Sequence, residues 1–273
     1  FGTPGWFWLA FLVLIIVLLV LDLGVLHRDQ HEIEMRESLL LYSGYFSVGV
    51  AFGGWIWWQL GGTKAMEYYT GFLVEQSLSM DNVFVMAMIL GYFNIPRRYQ
   101  HRVLFWGILG VIVLRATMIG LGTALVQNFE WVLYLFGAFL LFTGVRMLSA
   151  KEEQHPDLSQ NRLLQFLRRH IRVTEDMHGG RFLVRQPDRK SGKHLLHATP
   201  LLLALVLIEL ADLVFAVDSV PAVLAISQDP FIVYTSNIFA ILGLRALYFA
   251  LAALMHRFIY LKYALALVLM FIG

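Results

Sequence analysis

Long apolar runs separated by short charged breaks set the rhythm of this chain, and each run is long enough to cross a bilayer as a helix. They fall at residues 6–26, 39–60, 68–93, 103–126, 131–148, 200–226 and 231–255, with an eighth beginning at Lys262. About 20 apolar residues span the hydrocarbon core as helix. None of the runs shows the apolar-out, polar-in alternation of a barrel strand. The predicted fold class is all-α: a polytopic membrane helix bundle. Local signals agree, since Ser38 can cap the second span and Asn94-Ile95-Pro96 breaks the third. Pro221 lies inside the sixth, where its missing N–H should kink or unwind the helix just beyond Asp218.

One sizeable polar region, 150–197, interrupts the pattern. Within it Leu163, Leu164, Leu167 and Ile171 share a helical face, ringed by Arg162, Arg168, Arg169 and Arg172. This fits a helix lying on the membrane surface or a solvated basic linker, and both readings stand. The short apolar runs FLV and LL flank QPDRKSGK, which predicts a small hairpin. Four sections result: two N-terminal spans over 1–60, a three-helix unit over 68–149, the polar loop 150–197 and a second three-helix unit over 198–273. The chain starts at Phe1 without Met and stops inside the apolar run 263–273, so further sequence is expected beyond both ends.

Composition sharpens this picture. The 273 residues are 59% hydrophobic and 15% charged, against about 25% charged in soluble domains, and the mean hydropathy is +0.67. Of 21 Lys and Arg, 18 lie in or beside the breaks after spans one, three, five and seven. By the positive-inside rule those breaks are cytoplasmic and the N-terminus is outside. A net charge of +2 gives no case for nucleic acid, and the lack of cysteine removes disulfides, thiolate metal sites and cysteine nucleophiles.

The polar residues inside the apolar runs carry the chemistry. EQSLSMDNV at 75–83 and DLVFAVDSV at 212–220 share one spacing: Glu75, Asp81, Asn82 and Val83, then Asp212, Asp218, Ser219 and Val220. Spans three and six are an odd number of crossings apart and therefore run in opposite directions. Each is followed by a span containing an arginine, Arg115 or Arg245. The halves thus read as inverted three-helix repeats, helices 3–5 and 6–8, an architecture of secondary transporters with the substrate site at the repeat interface.

With Glu209, seven ionisable side chains are expected at lipid depth. At roughly 3 kcal/mol each, the gross insertion cost is on the order of 20 kcal/mol. Five acids against two arginines leave three negative charges in excess, of which a divalent cation would cancel two. The candidate ligands are carboxylates, the Asn82 carbonyl and the hydroxyls of Ser77, Ser79 and Ser219. All nine histidines fall in breaks or at span ends. Such an oxygen set suits Mg, Ca or Mn better than Zn or Cu. Met80, Met86 and Met88 either add a soft ligand favouring Mn or pack as ordinary apolar side chains.

Helix geometry limits the arrangement. Glu75 and Asp81 are about 120° apart in projection and about 9 Å apart in height, whereas Glu75, Ser79 and Asn82 share a face, as do Glu209 and Asp212. The expected site places Asp81 and Asn82 opposite Asp218 and Ser219, with Glu75, Glu209 and Asp212 lining the path or completing the shell. The contrary reading has the arginines pairing the acids to hold the bundle. Asp22, near the inner end of span one, is expected at the interface rather than in the site.

The segments EQSLSMDNVFV, VLRATMI, YLFGAFLLFTGVRM, ATPLLLALVLIELADLVFAVDSVPA and FIVYTSNIFAILGLRALYF resemble signature segments of the TerC family of tellurium-resistance-associated membrane proteins, and within it the Alx-type bacterial members. The resemblance covers nearly the whole chain. It implies a bacterial inner-membrane protein of about nine helices, related to the lysine-exporter superfamily, acting in manganese efflux and in supplying manganese to exported enzymes. By motif, Glu75, Asp81 and Asn82 match the family's first acidic segment, and Glu209, Asp212, Asp218 and Ser219 its second. The family's last helices have no counterpart in this chain.

Together these observations predict a transporter, not an enzyme, that exports Mn2+ through an intramembrane acidic site in exchange for protons. It needs no catalytic cofactor, with Mn2+ as the transported ion and the lipid bilayer as its solvent. A rival is a non-transporting metal-binding partner of the secretion machinery or of exported enzymes, docking through 150–197. An intramembrane aspartyl protease is disfavoured by the absence of a YD and GxGD pair. Oligomeric state is not read from the sequence.

Overall fold

The computed structural model describes residues 4–24, 35–129, 131–149, 165, 172–174, 176–187, 194–251, 270 and 272. Five helical stretches among the described residues are long and apolar enough to cross a membrane, with Pro230–Ala250 counted as one of them. The helices are α1 (Gly5–Gly24), α2 (Met35–Leu60), α3 (Gly62–Tyr92), α4 (Arg97–Asn128), α5 (Trp131–Ser149), α6 (Pro200–Ile226), α7 (Pro230–Leu242) and α8 (Leu244–Leu251). The expected surface helix and the eighth span fall outside the described residues, apart from Gln165, Met270 and Ile272.

Backbone chemistry explains most of the boundaries. Gly61 takes φ +88°, a left-handed conformation open to glycine, and separates α2 from α3. Asn94 at φ +49° and Pro96 as N-cap end α3 and begin α4. Pro200 and Pro230 open α6 and α7, where a missing N–H costs nothing. Asp229 caps α7 by accepting from the Phe231 N–H at 3.0 Å.

One expectation changes. The helix α6 continues through Pro221 to Ile226, so no unwinding follows Asp218. Proline forfeits one intrahelical bond, but packing of Val220, Pro221, Ala222 and Val223 as buried residues holds the turn. The seventh span runs as one apolar helical stretch over Pro230–Ala250, with Gly243 between α7 and α8 still helical at φ −77°, ψ −11° and the Tyr42 ring 3.3 Å from where a Cβ would stand. The missing side chain lets the Tyr42 ring of α2 approach the backbone closely at that point.

The expected hairpin is present. Strand β1 (Leu183–Pro187) pairs antiparallel with β2 (His194–Ala198), Leu183 opposite Ala198. Thr199 ties it to the start of α6 by donating to the Arg181 carbonyl at 2.7 Å.

Three helices form the interior. α3 packs against α2, α6 and α7, while α4 packs against α6. Aromatic rings seat α1: Phe7, Trp8 and Phe11 contact Phe231. The opposite face of α1, including Leu9, Leu12 and Ile16, is exposed, as a lipid-facing surface should be. Lipid tails are as apolar as leucine, so close packing rather than hydrophobic burial must hold such helices together.

Gly49 shows this at the α2–α3 contact. The Tyr68 hydroxyl donates to its carbonyl at 2.9 Å, and a Cβ there would lie 2.9 Å from the Phe72 ring. Gly49→Leu should therefore displace the buried Phe72 and cost about 1–3 kcal/mol by overpacking, measured as a lower unfolding midpoint in detergent.

The two ends of the bundle differ. Lys64 at the start of α3 pairs with Glu67 at 3.0 Å and with Asp229 at 3.4 Å. The Ser227 hydroxyl donates to Glu67 at 2.5 Å, tying α3 to the α6–α7 turn. At the other end, Arg102 lies 5.5 Å from the Phe182 ring and Arg98 stacks at 4.7 Å on Tyr99. The basic residues of the hairpin and of the α4 start are thus gathered at the end away from Lys64.

Candidate functional site

Helical phase decides which motif residues turn inward. On α3, residues 75, 79 and 82 repeat at spacings of four and three, which stacks them on one face. On α6, residues 212 and 219 are seven apart and again share a face. These five side chains are buried, and they converge on Arg115 of α4.

The guanidinium of Arg115 is the centre. Its Nε and one terminal nitrogen donate to the two oxygens of Asp212, at 3.2 and 2.9 Å. Its other terminal nitrogen donates to Glu75 Oε1 and, at 2.8 Å, to the Ser219 hydroxyl. Arginine suits this position because its rigid fork matches carboxylates bidentately and cannot lose its charge.

Two amides complete the shell. Asn82 donates to Asp212 Oδ1 at 3.1 Å. Asn237, from α7, donates to Glu75 Oε2 at 2.9 Å. Ser79 reaches Glu75 Oε1 at 3.4 Å. Relative exposures of 0% for Glu75 and Asn237, 1% for Arg115 and 2% for Asp212 mean that bulk water screens none of these charges. Formally, the cluster carries two negative charges and one positive.

Every carboxylate oxygen in the cluster accepts a hydrogen bond, but the side-chain oxygens of Asn82 and Asn237 accept none. Such buried acceptors cost free energy unless something fills them. The Asn82 side chain also lines a crevice, too tight to admit a water molecule, that touches Met86 and Asp212.

The other motif residues lie apart from this centre. Asp81 is partly buried and has no hydrogen-bond partner among the described residues. Asp218 accepts from Thr143 of α5 at 3.3 Å. Each precedes the inward Asn82 or Ser219 by one residue, about 100° around the helix. Glu209 shares the face of Asp212 and points at α4, where its Oε1 is buried without a partner. It occupies a notch at Gly107 and Gly110, and a Cβ on Gly110 would lie 2.2 Å from that oxygen.

Among the described residues, no three His, Cys, Asp or Glu side chains are grouped so as to hold a metal. A cation at the centre would rely on two carboxylates and on neutral amide and hydroxyl oxygens. The side chains of Arg245 and Asp22 lie outside the described residues. Asn237 escaped the sequence reading because a lone amide in an apolar helix carries no charge to flag it. Its fourth-turn neighbours Val233 and Ile241 give no hint of a polar face. The available signal was its place in FIVYTSNIFA, where three polar residues adjoin.

These features define a multi-pass helical membrane protein with a buried ionic cluster between its central helices. Residues 60–273 match the family described as integral membrane protein TerC family, and the chain belongs to it. The chain is 46% identical over 266 residues to an "Uncharacterized membrane protein" of Rickettsia bellii, covering 97% of this chain and 86% of that one. It is 45% identical over 281 residues to the "Putative membrane-bound redox modulator Alx" of Escherichia coli K12, covering 100% of this chain and 85% of that one. A Myxococcus xanthus "Uncharacterized membrane protein STKORF319" is also 45% identical, over 273 residues, with 100% and 83% covered. No solved structure matches the chain.

Proposed function

We propose that this protein is a secondary transporter that exports Mn2+ across the bacterial inner membrane, its N-terminus outside. The observation that supports this most is the meeting of Glu75 and Asp212, the acids that open the two motifs, in a dry centre beside two amide oxygens without donors. Carboxylate and carbonyl oxygens are the ligands of hard divalent cations. Met86 in the adjoining cleft would add the softer sulfur that favours manganese over magnesium or calcium. The two motif helices act as halves of an inverted repeat in this reading, and alternating access comes from rocking one half against the other. Asp81, Asp218 and Glu209 are the acids that pass the ion to and from the centre, and they exchange protons for it.

The name redox modulator borne by some relatives is compatible with this reading. A chain without cysteine has no thiol of its own to oxidise, so a redox effect would run through the metal it moves. The direct test is Mn2+ flux into proteoliposomes containing the purified protein. Flux no greater than in empty vesicles sinks the proposal.

The Glu209 notch gives a second check. Gly110→Ala would drive a methyl into the carboxyl group. Transport should fall about tenfold, equivalent to about 1.4 kcal/mol, with little change in the amount of folded protein. Gly110→Ala flux equal to the unaltered protein would remove Glu209 from the path.

One observation favours the rival reading of a non-transporting metal-binding partner, namely that Arg115 already neutralises part of the acidic charge. In that case the loop 150–197 docks exported enzymes or secretion machinery. Deleting it would then abolish partner capture, whereas a transporter would keep its Mn2+ flux.

A further inference from the structure

Arg115 and a divalent cation make claims on the same negative charge. The guanidinium contacts both carboxylates, and it reaches both oxygens of Asp212. With Asn82, Asn237 and Ser79, it leaves no oxygen of either acid without a donor. A metal ion needs those lone pairs. It also cannot sit beside a fixed guanidinium in a centre this dry, because like charges repel strongly where the dielectric is low. The charge count is equally direct: two carboxylates and one divalent ion are neutral, and retaining the arginine makes the centre positive. Meanwhile the oxygens of Asn82 and Asn237, whose amide nitrogens already hold Asp212 and Glu75, accept no hydrogen bond, so each acid has an unfilled neutral oxygen on its neighbour.

We propose that Arg115 is a tethered counter-cation that exchanges places with the transported ion. It holds Glu75 and Asp212 between transport events and leaves them as the metal binds through both carboxylates and the amide oxygens of Asn82 and Asn237. Its return displaces the metal. The inference rests on the reading of this centre as a cation site, and it adds a mechanism of release. A carrier with such a tether can reset these two acids without a proton on either. Asn237 becomes a ligand for which no charge pattern in the sequence prepared. Arginine is suited to the role because it stays charged at any physiological pH. The apparent affinity for metal is lowered by the fraction of protein in which the arginine holds the acids.

The test compares the unaltered protein with Arg115→Ala and Arg115→Lys, by Mn2+ equilibrium dialysis in detergent and by Mn2+ flux in proteoliposomes. Arg115→Ala should bind Mn2+ at least tenfold more tightly and turn over at least tenfold more slowly. Millimolar guanidinium ion should compete with Mn2+ for Arg115→Ala and restore its turnover, with no effect on the unaltered protein. Arg115→Lys, which keeps a charge but cannot fork across both acids, should be intermediate, and it carries the test alone if Arg115→Ala cannot be purified. Unchanged or weaker Mn2+ binding in the variants overturns the exchange, as does tighter binding without slower release. Guanidinium that raises thermal stability without competing also overturns it, making Arg115 a fixed pin. If the unaltered protein neither binds nor moves Mn2+, the transport reading fails first, and the outcomes are thereby distinguishable.

Discussion

Glu75→Gln and Asp212→Asn are each expected to lower Mn2+ flux at least a hundredfold, while Asp81→Asn and Asp218→Asn lower it about tenfold. A hundredfold corresponds to about 2.7 kcal/mol, less than the cost of leaving one buried charge of a pair uncompensated. The ranking follows from position. Glu75 and Asp212 are 0% and 2% exposed and share one guanidinium, so neither can be lost without changing the charge that a divalent ion meets. Asp81 and Asp218 are only partly buried. They face other neighbours, and their amides would still be hydrated or bonded. Flux of the four variants in proteoliposomes, normalised to reconstituted protein, decides the matter. A reversed ranking would move the centre of the site to Asp81 and Asp218, the arrangement that motif spacing alone suggested.

Arg115→Met is expected to be the most destabilising single replacement in the bundle, by about 3–5 kcal/mol, because it strands two carboxylates away from water. The triple variant Glu75→Gln, Arg115→Met, Asp212→Asn removes all three charges together. It should recover most of that loss, since neutral side chains of similar size replace a buried ionic cluster at little net cost. Urea or SDS unfolding of the purified proteins measures both effects. If the single and triple variants were equally unstable, the loss would come from packing around the long Arg115 side chain rather than from its charge. The result also bears on function, because transport should be absent from the triple variant even where its stability is normal.

The gap between spacing and geometry at this site has a physical source. Aligning the two motifs pairs Asp81 with Asp218 and Asn82 with Ser219, and adjacent residues look like a unit when written in a line. On a helix they are about 100° apart. Only one member of each adjacent pair can face the same neighbour, and here it is the neutral one. The shared face of Glu75, Ser79 and Asn82 was visible from their numbering. Which of several acidic faces would meet Arg115 was not, because that depends on how α3, α4 and α6 are rotated about their own axes.

Pro221 and Gly243 both show neighbours in space deciding what a local signal means. Proline's lost hydrogen bond predicts a break, but the surrounding packing keeps α6 helical. Gly243 carries no such cost, and its missing side chain is used instead for the close approach of the Tyr42 ring. Local chemistry sets a cost at each position, and neighbours in space determine whether it is met.

By itself the sequence determined that this chain crosses a membrane as helices, where the first six of them run to within about six residues, and that acids and arginines lie among them. Those properties follow from apolar length and from side-chain charge, which are local. The tertiary structure alone decided that Glu75 and Asp212 share Arg115, that Asn237 joins them from a helix 162 positions away from Glu75, and that Glu209 occupies a notch made by glycines. Such meetings depend on helix rotation and on close approach between segments distant in the chain, and no local pattern encodes either.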